Sequence, residues 1–246
     1  MQLGGCALDV RGTFAGPSPD GRPPLVLVHG IGMSGEYFLP FAEELAAEYD
    51  VYSLDLPGYG SSPRPPRALT IPELGEAVAE AIRALGLDGA VVVGHSMGSQ
   101  VAAHVLAGNP GLCRGYVLVG PTVDRAARGL GALAWRLLRD SMGEPMASNV
   151  VALRSVLWMG PLRYLQTARH MFDDRIEETI ARCEAPGLVV RGERDPIAPL
   201  GWAVDLVRRA PDASLVQIPG ARHAVQHHGA GELARACTPF LAGLRR

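Results

Sequence analysis

The pentapeptide Gly94-His95-Ser96-Met97-Gly98 constrains the fold more tightly than any other part of the chain. It follows a β-branched run over 90–93 and precedes an Ala-rich stretch over 99–107, which predicts a strand, a tight turn and a helix. The two glycines remove side chains that would clash in such a turn, and the turn holds the serine in a strained backbone conformation. The Ser96 hydroxyl would then lie at the start of a helix, where backbone N–H groups stabilise negative charge. This pattern is typical of a nucleophilic serine.

Composition places the 246-residue chain among ordinary soluble proteins and excludes several kinds of partner. Hydrophobic residues make up 48% of the chain, charged residues make up 20%, and the formal net charge is -2. This balance offers no electrostatic attraction to nucleic acid or to an anionic membrane. No apolar run approaches the ~20 residues of a membrane-spanning helix, and the N-terminus lacks the pattern of a signal peptide. We therefore expect a cytoplasmic protein with no nucleic-acid or membrane partner.

The four cysteines, Cys6, Cys113, Cys183 and Cys237, are widely scattered along the chain. No pair of them has metal-ligand or C-x-x-C spacing, so a disulfide framework is not expected. We predict free thiols in a reducing compartment.

Strand-like and helix-like stretches alternate, which predicts an α/β fold with a mostly parallel, doubly wound sheet. Strands are predicted over 25–28, 51–54, 91–93, 116–119, 188–191 and 214–218. Helices are predicted over 37–49, 70–86, 98–107 and 232–244. Thr70 and Glu73 have the spacing of a capping box at the start of the second of these helices.

The alternation breaks between positions 122 and 186, where the pattern is helical. One amphipathic stretch is marked by Leu130, Leu133, Leu137 and Leu138, and a weaker one covers 164–171. We therefore expect an α/β core over 1–121 and 187–246, interrupted by a helical cap over 122–186.

A serine hydroxyl needs a base within hydrogen-bond reach and usually a carboxylate that orients the base. His223 follows the last predicted strand through a short turn, at the sheet edge where open α/β folds place functional groups. Asp195 and Asp124 each follow a predicted strand. The proline after Asp195 would fix its turn, and the chain order Ser…Asp…His favours it, so Asp195 is the predicted acid and Asp124 the alternative.

The negative charge that develops on a substrate carbonyl needs backbone N–H donors. Met97, the residue after the serine, should supply one of them. The glycine-rich loop over 29–35 should supply the other, and we predict Ile31, with Gly32 as the alternative. This loop lacks both G-x-G-x-x-G and G-x-x-x-x-G-K-[ST], so phosphate is not its expected ligand.

Five motifs together resemble the α/β-hydrolase family, and they occur in the order of that family. They are His29-Gly30, Asp55-Leu56-Pro57-Gly58-Tyr59-Gly60-Ser61-Ser62, the Ser96 turn, Arg191-Gly192-Glu193-Arg194-Asp195 and Gly220-Ala221-Arg222-His223. The resemblance implies a mostly parallel eight-stranded sheet, a helical cap after the sixth strand and a cleft between them. It also implies acyl transfer through Ser96 with no cofactor and no metal.

The chain departs from the family pattern in two places. The segment before Leu25 is short, so we expect the first strand or two of the family sheet to be shortened or missing. The loop after the strand over 25–28 carries Ile31, whose branched side chain would narrow the cleft.

An acyl-enzyme on Ser96 would suit a hydrolase of a carboxylic ester, a thioester or a lactone. The same three residues would also serve carbon–carbon bond hydrolysis, acyl transfer or perhydrolysis. A non-catalytic receptor for small molecules is the alternative from a different class. Trp135 and Trp158 of the predicted cap are candidates to line a pocket for a small apolar or partly apolar acyl substrate, and packing between helices is the alternative. We expect a monomer or a homodimer.

Overall fold

The computed structural model of the protein describes residues 2–3, 6–13, 21–129, 131, 135–136, 139–140, 154 and 156–244. Its main sheet contains β1 (Asp9–Thr13), β2 (Leu25–Val28), β3 (Val51–Asp55), β4 (Ala90–His95), β5 (Cys113–Val119), β6 (Gly187–Gly192) and β7 (Ala213–Ile218). The strands lie in the order β1-β3-β2-β4-β5-β6-β7, and all neighbours are parallel except β1 and β3. The predicted α/β fold with a mostly parallel sheet is confirmed.

The main sheet of the described residues has seven strands, fewer than the eight that the family resemblance implies and in line with the expected shortening at the N-terminus. The short segment before Leu25 is the reason, because it adds only β1 to this sheet. Gln2–Leu3 and Cys6–Ala7 pair with each other instead and form a separate antiparallel ribbon.

The helices follow the strands in regular alternation. They are α1 (Leu39–Leu45), α2 (Ile71–Ala84), α3 (Met97–Gly108), α4 (Pro161–Asp173), α5 (Ile176–Thr179), α6 (Leu200–Arg209), α7 (Val225–His228) and α8 (Ala230–Gly243). Single turns of 3-10 helix cover Gly35–Phe38, Arg125–Ala127 and Ile180–Arg182. The predicted capping box of α2 is confirmed, since the Thr70 N–H donates to the Glu73 carboxylate at 2.8 Å and the Thr70 hydroxyl accepts from the Glu73 N–H.

Apolar layers cover both faces of the sheet, as a doubly wound fold requires. Successive residues of β2 point to opposite faces. Val26 and Val28 pack in the layer that contains α2, α3 and α6, whereas Leu25 and Leu27 pack in the layer that contains α1 and α8. All four side chains are buried, which explains why this strand is a continuous apolar run in the sequence.

The chain leaves the sheet after β5 and rejoins it at β6. The described part of this insertion is helical and contains no strand. The predicted helix over 164–171 is confirmed within α4, whereas Leu130, Leu133, Leu137 and Leu138 lie outside the described residues. The bounds of the cap, 122 and 186, stay a prediction.

A polar cluster joins the end of α4 to α3. The Gln100 amide donates to the Met171 carbonyl at 3.0 Å and to the Asp174 carboxylate at 2.8 Å. The other carboxylate oxygen of Asp174 lies 2.6 Å from Nε2 of His104. The insertion is therefore fixed to the helix that begins at the serine turn.

The thiols of Cys113, Cys183 and Cys237 are free and buried. Burial raises the pKa of each to about 12. All three therefore stay protonated near neutral pH and pack as small apolar groups.

Candidate active site

Ser96 forms the turn between β4 and α3. It has a φ of 55° and a ψ of -119°, and among the described residues it is the one non-glycine residue with a positive φ. Its N–H donates to the Val119 carbonyl at 2.9 Å. A Cβ atom at Gly94 would lie 2.2 Å from the Gly98 carbonyl oxygen, and one at Gly98 would lie 2.0 Å from the Val28 carbonyl oxygen. The turn therefore needs glycine at both positions.

His223 and Asp195 lie together at the carboxyl edge of the sheet. Nδ1 of His223 is 2.8 Å from Oδ2 of Asp195, and both side chains are buried. Oδ1 of Asp195 accepts from the N–H groups of Ile197 at 2.7 Å and Ala198 at 3.0 Å. Burial alone would raise the pKa of Asp195, but the positive charge and hydrogen bond of His223 and the two backbone N–H groups lower it below its ordinary value. The carboxylate is therefore ionised and fully hydrogen-bonded.

The end of β5 brings this pair and the serine to the same place. A Cβ atom at Gly120 would lie 2.9 Å from Nδ1 of His223 and 3.1 Å from Oδ2 of Asp195, so the pair occupies the space that a side chain would need. The residue before it, Val119, accepts the N–H of Ser96. The three predicted residues thus converge on one strand end.

Arg191 fixes the loop that carries Asp195. Its guanidinium donates to the carbonyls of Ala198 at 2.8 Å and Asp195 at 3.2 Å, and it also contacts the Gln217 side chain at 2.6 Å. Because these bonds span the turn after β6, the Asp195 carboxylate has a single orientation.

His95 supports the loop that carries His223, a role that the sequence analysis did not assign. Its Nε2 lies 3.1 Å from the His223 carbonyl oxygen, and the two imidazole rings are 4.7 Å apart between centroids. Burial, followed by the nearby charge of His223, lowers the pKa of His95 well below its ordinary value. Neutral His95 therefore donates its Nε2–H to that carbonyl. Its position beside the serine in the pentapeptide was the one available signal.

The glycine-rich loop passes directly against the serine. A Cβ atom at Gly30 would lie 3.0 Å from Cβ of Ser96, and Ile31 follows Gly30. Met97 is the first residue of α3, and the N–H groups of a first helical turn have no acceptor within the helix. Ile31 and Met97 therefore flank the serine, and their role as oxyanion donors stays a prediction.

His29 holds the start of this loop. Its Nε2 accepts the N–H of Leu56 at 3.1 Å, so its Nδ1 carries the proton and donates to the Gly30 carbonyl at 2.8 Å. Burial lowers the pKa of His29, which keeps the ring neutral as this pattern requires.

Asp124, the alternative acid, is engaged elsewhere. Its carboxylate accepts the N–H of Ala126 at 2.9 Å and forms an ion pair with Arg136 at 2.7 Å. It therefore lies at the start of the insertion as the cap of a short 3-10 helix.

Trp135 and Trp158, the two predicted pocket residues, are not brought together. Trp158 lines a pocket of about 500 Å³ beside Met33, Tyr59 and Met159, whereas Trp135 lines a separate opening of about 490 Å³. The Tyr59 hydroxyl lies 4.0 Å from the sulfur of Met97, and the described lining of the Trp158 pocket contains none of Ser96, Asp195 and His223.

Two searches of the described ranges were negative. None of the helices there is both long and apolar enough to cross a bilayer. Nor do three or more His, Cys, Asp or Glu side chains in these ranges form a group that could hold a metal ion. Independence from metals and cofactors stays a prediction.

Comparison with known proteins identifies relatives of this chain and of its fold. The model of the Alpha/beta hydrolase family matches residues 25–236. A pimeloyl-[acyl-carrier protein] methyl ester esterase of Chromobacterium violaceum is 31% identical over 227 residues, which cover 82% of this chain and 87% of that protein. An (E)-2-((N-methylformamido)methylene)succinate hydrolase of Acinetobacter baylyi is 26% identical over 220 residues, which cover 82% of this chain and 84% of that protein.

Solved structures with the same fold include an esterase from Thermogutta terrifontis and an enol-lactonase from Burkholderia xenovorans. The esterase aligns with a TM-score of 0.81 at 22% identity, over 98% of this chain and 95% of the other. The enol-lactonase aligns with a TM-score of 0.79 at 20% identity, over 98% of each chain. At such identities the alignments show a common fold alone. The family model over residues 25–236 and the 31% identity to the methyl ester esterase of Chromobacterium violaceum show that the chain belongs to the alpha/beta hydrolase family.

Proposed function

We propose that this chain is a serine hydrolase that cleaves a carboxylic ester through an acyl-enzyme on Ser96. The observation that carries the proposal is the 2.8 Å contact between His223 and Asp195 beside the strained serine turn. A histidine that is oriented by a carboxylate can act as the base that activates a serine. One relative of the chain is a methyl ester esterase. A thioester or a lactone would react by the same steps.

In the first half of the reaction, Oγ of Ser96 attacks the carbonyl carbon of the ester while its proton passes to Nε2 of His223. Asp195 accepts the Nδ1–H of His223, which leaves Nε2 unprotonated before the attack and stabilises the imidazolium after it. The tetrahedral intermediate then collapses. The C–O bond to the leaving group breaks, His223 returns the proton to the departing alcohol, and the acyl group remains on Ser96.

In the second half, His223 takes a proton from water as the water oxygen attacks the acyl carbon. The bond to Ser96 breaks, Oγ regains the proton, and the carboxylic acid leaves. In both halves the N–H groups of Ile31 and Met97 donate to the carbonyl oxygen when it carries negative charge. Backbone donors held in place before the reaction are worth about 3 kcal/mol each in such sites.

The apolar part of the substrate would occupy the pocket of about 500 Å³ that Trp158 lines. Met33 and Met159 give this pocket adaptable walls, which would suit acyl groups of several shapes. Tyr59, which lines this pocket, contacts the side chain of Met97, the residue after the serine, and this contact supports the assignment.

The test combines two measurements on the wild type and Ser96→Ala. We expect the wild type to hydrolyse short p-nitrophenyl esters and to form a covalent adduct with a fluorophosphonate probe. Ser96→Ala should lose both activities and keep its unfolding temperature. A panel of methyl esters, thioesters and lactones then ranks the substrate classes, because relatives and neighbours include methyl ester esterases and an enol-lactonase.

Three results would contradict the proposal or replace it with another. Unchanged ester turnover in Ser96→Ala would exclude the serine as nucleophile. A folded wild type without any fluorophosphonate adduct would favour a non-catalytic receptor. Acyl-enzyme formation that proceeds to product only with an acceptor other than water would indicate acyl transfer or perhydrolysis.

A further inference from the structure

Three arginines converge on one opening next to the loops that carry Asp195 and His223. Arg139, Arg194 and Arg222, together with Pro196, line a pocket of about 440 Å³. The neighbouring opening of about 490 Å³ shares Arg139 and Arg194, so the arginines face a continuous concave surface. Neither pocket is the one that Trp158 lines.

Each of these arginines directly precedes a buried polar residue of the site. Arg194 precedes Asp195, and Arg222 precedes His223. Arg139 precedes Asp140, whose carboxylate lies 3.5 Å from the backbone N–H of His223. Arg194 and Arg222 therefore lie in the loops that carry Asp195 and His223, and Arg139 lies in a helical part of the insertion.

The three guanidinium groups have no ion-pair partner in the described part of the chain, although the carboxylates of Glu193 and Asp195 line the neighbouring opening. None of the ion pairs among the described residues includes Arg139, Arg194 or Arg222. Among the described residues, the hydrogen bonds of the Arg222 guanidinium are two contacts of 3.5 Å, with the carbonyls of Arg139 and Asp140. Arg222 therefore lies close to Arg139.

Three charged groups that line the neighbouring opening are engaged with other partners, and one of them is Asp195, whose carboxylate is bonded to His223. The Glu193 carboxylate accepts the N–H of Gly220 at 2.8 Å. Arg136 is paired with Asp124 at 2.7 Å, whereas none of the described carboxylates forms an ion pair with its three neighbours. Like charges held together in a concavity repel one another, and a bound anion would remove that cost.

We propose that Arg139, Arg194 and Arg222 form a binding site for the phosphate group of a soluble small molecule. Guanidinium groups present planar pairs of N–H donors that match the oxygens of phosphate, and a dianion would neutralise most of the local charge. The lining of the site shares no residue with the pocket that Trp158 lines, and it draws on the loops that carry Asp195 and His223 and on the insertion. A bound phosphate would therefore join the two loops and the insertion without occupying the ester pocket.

The test measures binding rather than hydrolysis. Inorganic phosphate and glycerol 3-phosphate are titrated into the full-length protein by calorimetry, at constant ionic strength set with sodium chloride. We expect saturable binding to one site with a Kd below about 10 mM. Arg194→Gln and Arg222→Gln should each weaken binding about tenfold, since each removes a charge-assisted hydrogen bond.

Matched variants separate this site from general charge effects. Arg169→Gln removes an arginine whose side chain is 83% exposed and which pairs with Asp173, so it should bind phosphate as the wild type does. Ser96→Ala should also bind normally, which makes the result independent of the proposed ester chemistry. Both glutamine variants should keep the wild-type unfolding temperature without phosphate, since neither guanidinium has an ion pair to lose.

Absence of saturable binding in the wild type would overturn the proposal. So would binding that Arg194→Gln and Arg222→Gln leave unchanged, or that Arg169→Gln weakens equally. Binding of glycerol 3-phosphate but not of inorganic phosphate would support the site and indicate that the ligand needs contacts beyond its phosphate.

Discussion

Asp195→Asn tests the proposed acid with almost no change in shape. The amide oxygen can take the place of Oδ1 and accept the N–H groups of Ile197 and Ala198. The amide nitrogen then occupies the position of Oδ2, 2.8 Å from Nδ1 of His223. Because that nitrogen donates, Nδ1 must become the acceptor and the imidazole proton moves to Nε2.

The consequence for catalysis is large. An imidazole protonated at Nε2 cannot take the proton of Ser96, so the proposed base is lost in its resting form. In serine enzymes with this arrangement the corresponding change lowers kcat about 10⁴-fold, or ~5.5 kcal/mol in activation free energy. Folding should suffer much less, by about 1–2 kcal/mol, since one charged hydrogen bond becomes a neutral one.

The assay compares kcat for a p-nitrophenyl ester between the wild type, Asp195→Asn and Asp124→Asn, with unfolding free energies from urea titration. Asp124→Asn weakens an ion pair with Arg136 and should lower kcat less than about tenfold. A loss below about tenfold in Asp195→Asn would refute the tautomer argument. A larger loss in Asp124→Asn than in Asp195→Asn would transfer the role of the acid to Asp124.

Two further predictions use paired substitutions. Gly98→Ala should lower the free energy of unfolding by at least about 3 kcal/mol in urea titration, because its Cβ would lie 2.0 Å from the Val28 carbonyl oxygen. Gly108→Ala in the same helix meets no atom within 4 Å and should be neutral or stabilising. Equal effects of the two substitutions would contradict the steric argument. Trp158→Ala should raise KM for long acyl esters about threefold to tenfold more than it raises KM for acetate esters. Leu157→Ala, next to it and 70% exposed, should change neither KM. Equal KM changes in the two variants would place the acyl group elsewhere.

The parts of the fold that were predictable from the sequence depend on short-range patterns. The apolar run at Leu25–Val28 and the capping box of Thr70 and Glu73 involve residues a few positions apart, so their physics is visible in the sequence. The Ser96 turn is similar, because the clash that excludes side chains at Gly94 and Gly98 arises within one turn and its neighbouring strand.

The features that were missed depend on distant contacts. His95 meets the His223 carbonyl across 128 positions, and no local pattern reports such a contact. The separation of Trp135 from Trp158 depends on how the insertion lies over the sheet, which helical periodicity cannot show. The sequence showed that the segment before Leu25 is short, but the antiparallel pairing of β1 with β3 joins distant residues and was not predictable.

The position of Gly120 at the end of β5 has a consequence for how activity returns during refolding. Val119 pairs with His95 of β4 on one side and with Val190 of β6 on the other, so the centre of the site depends on three strands in register. β6 joins the sheet only after the chain has passed through the whole insertion. The serine turn can form from β4 and α3 alone. Ester hydrolysis should reappear only when β6 has paired with β5, which is later than the recovery of most of the helical circular-dichroism signal.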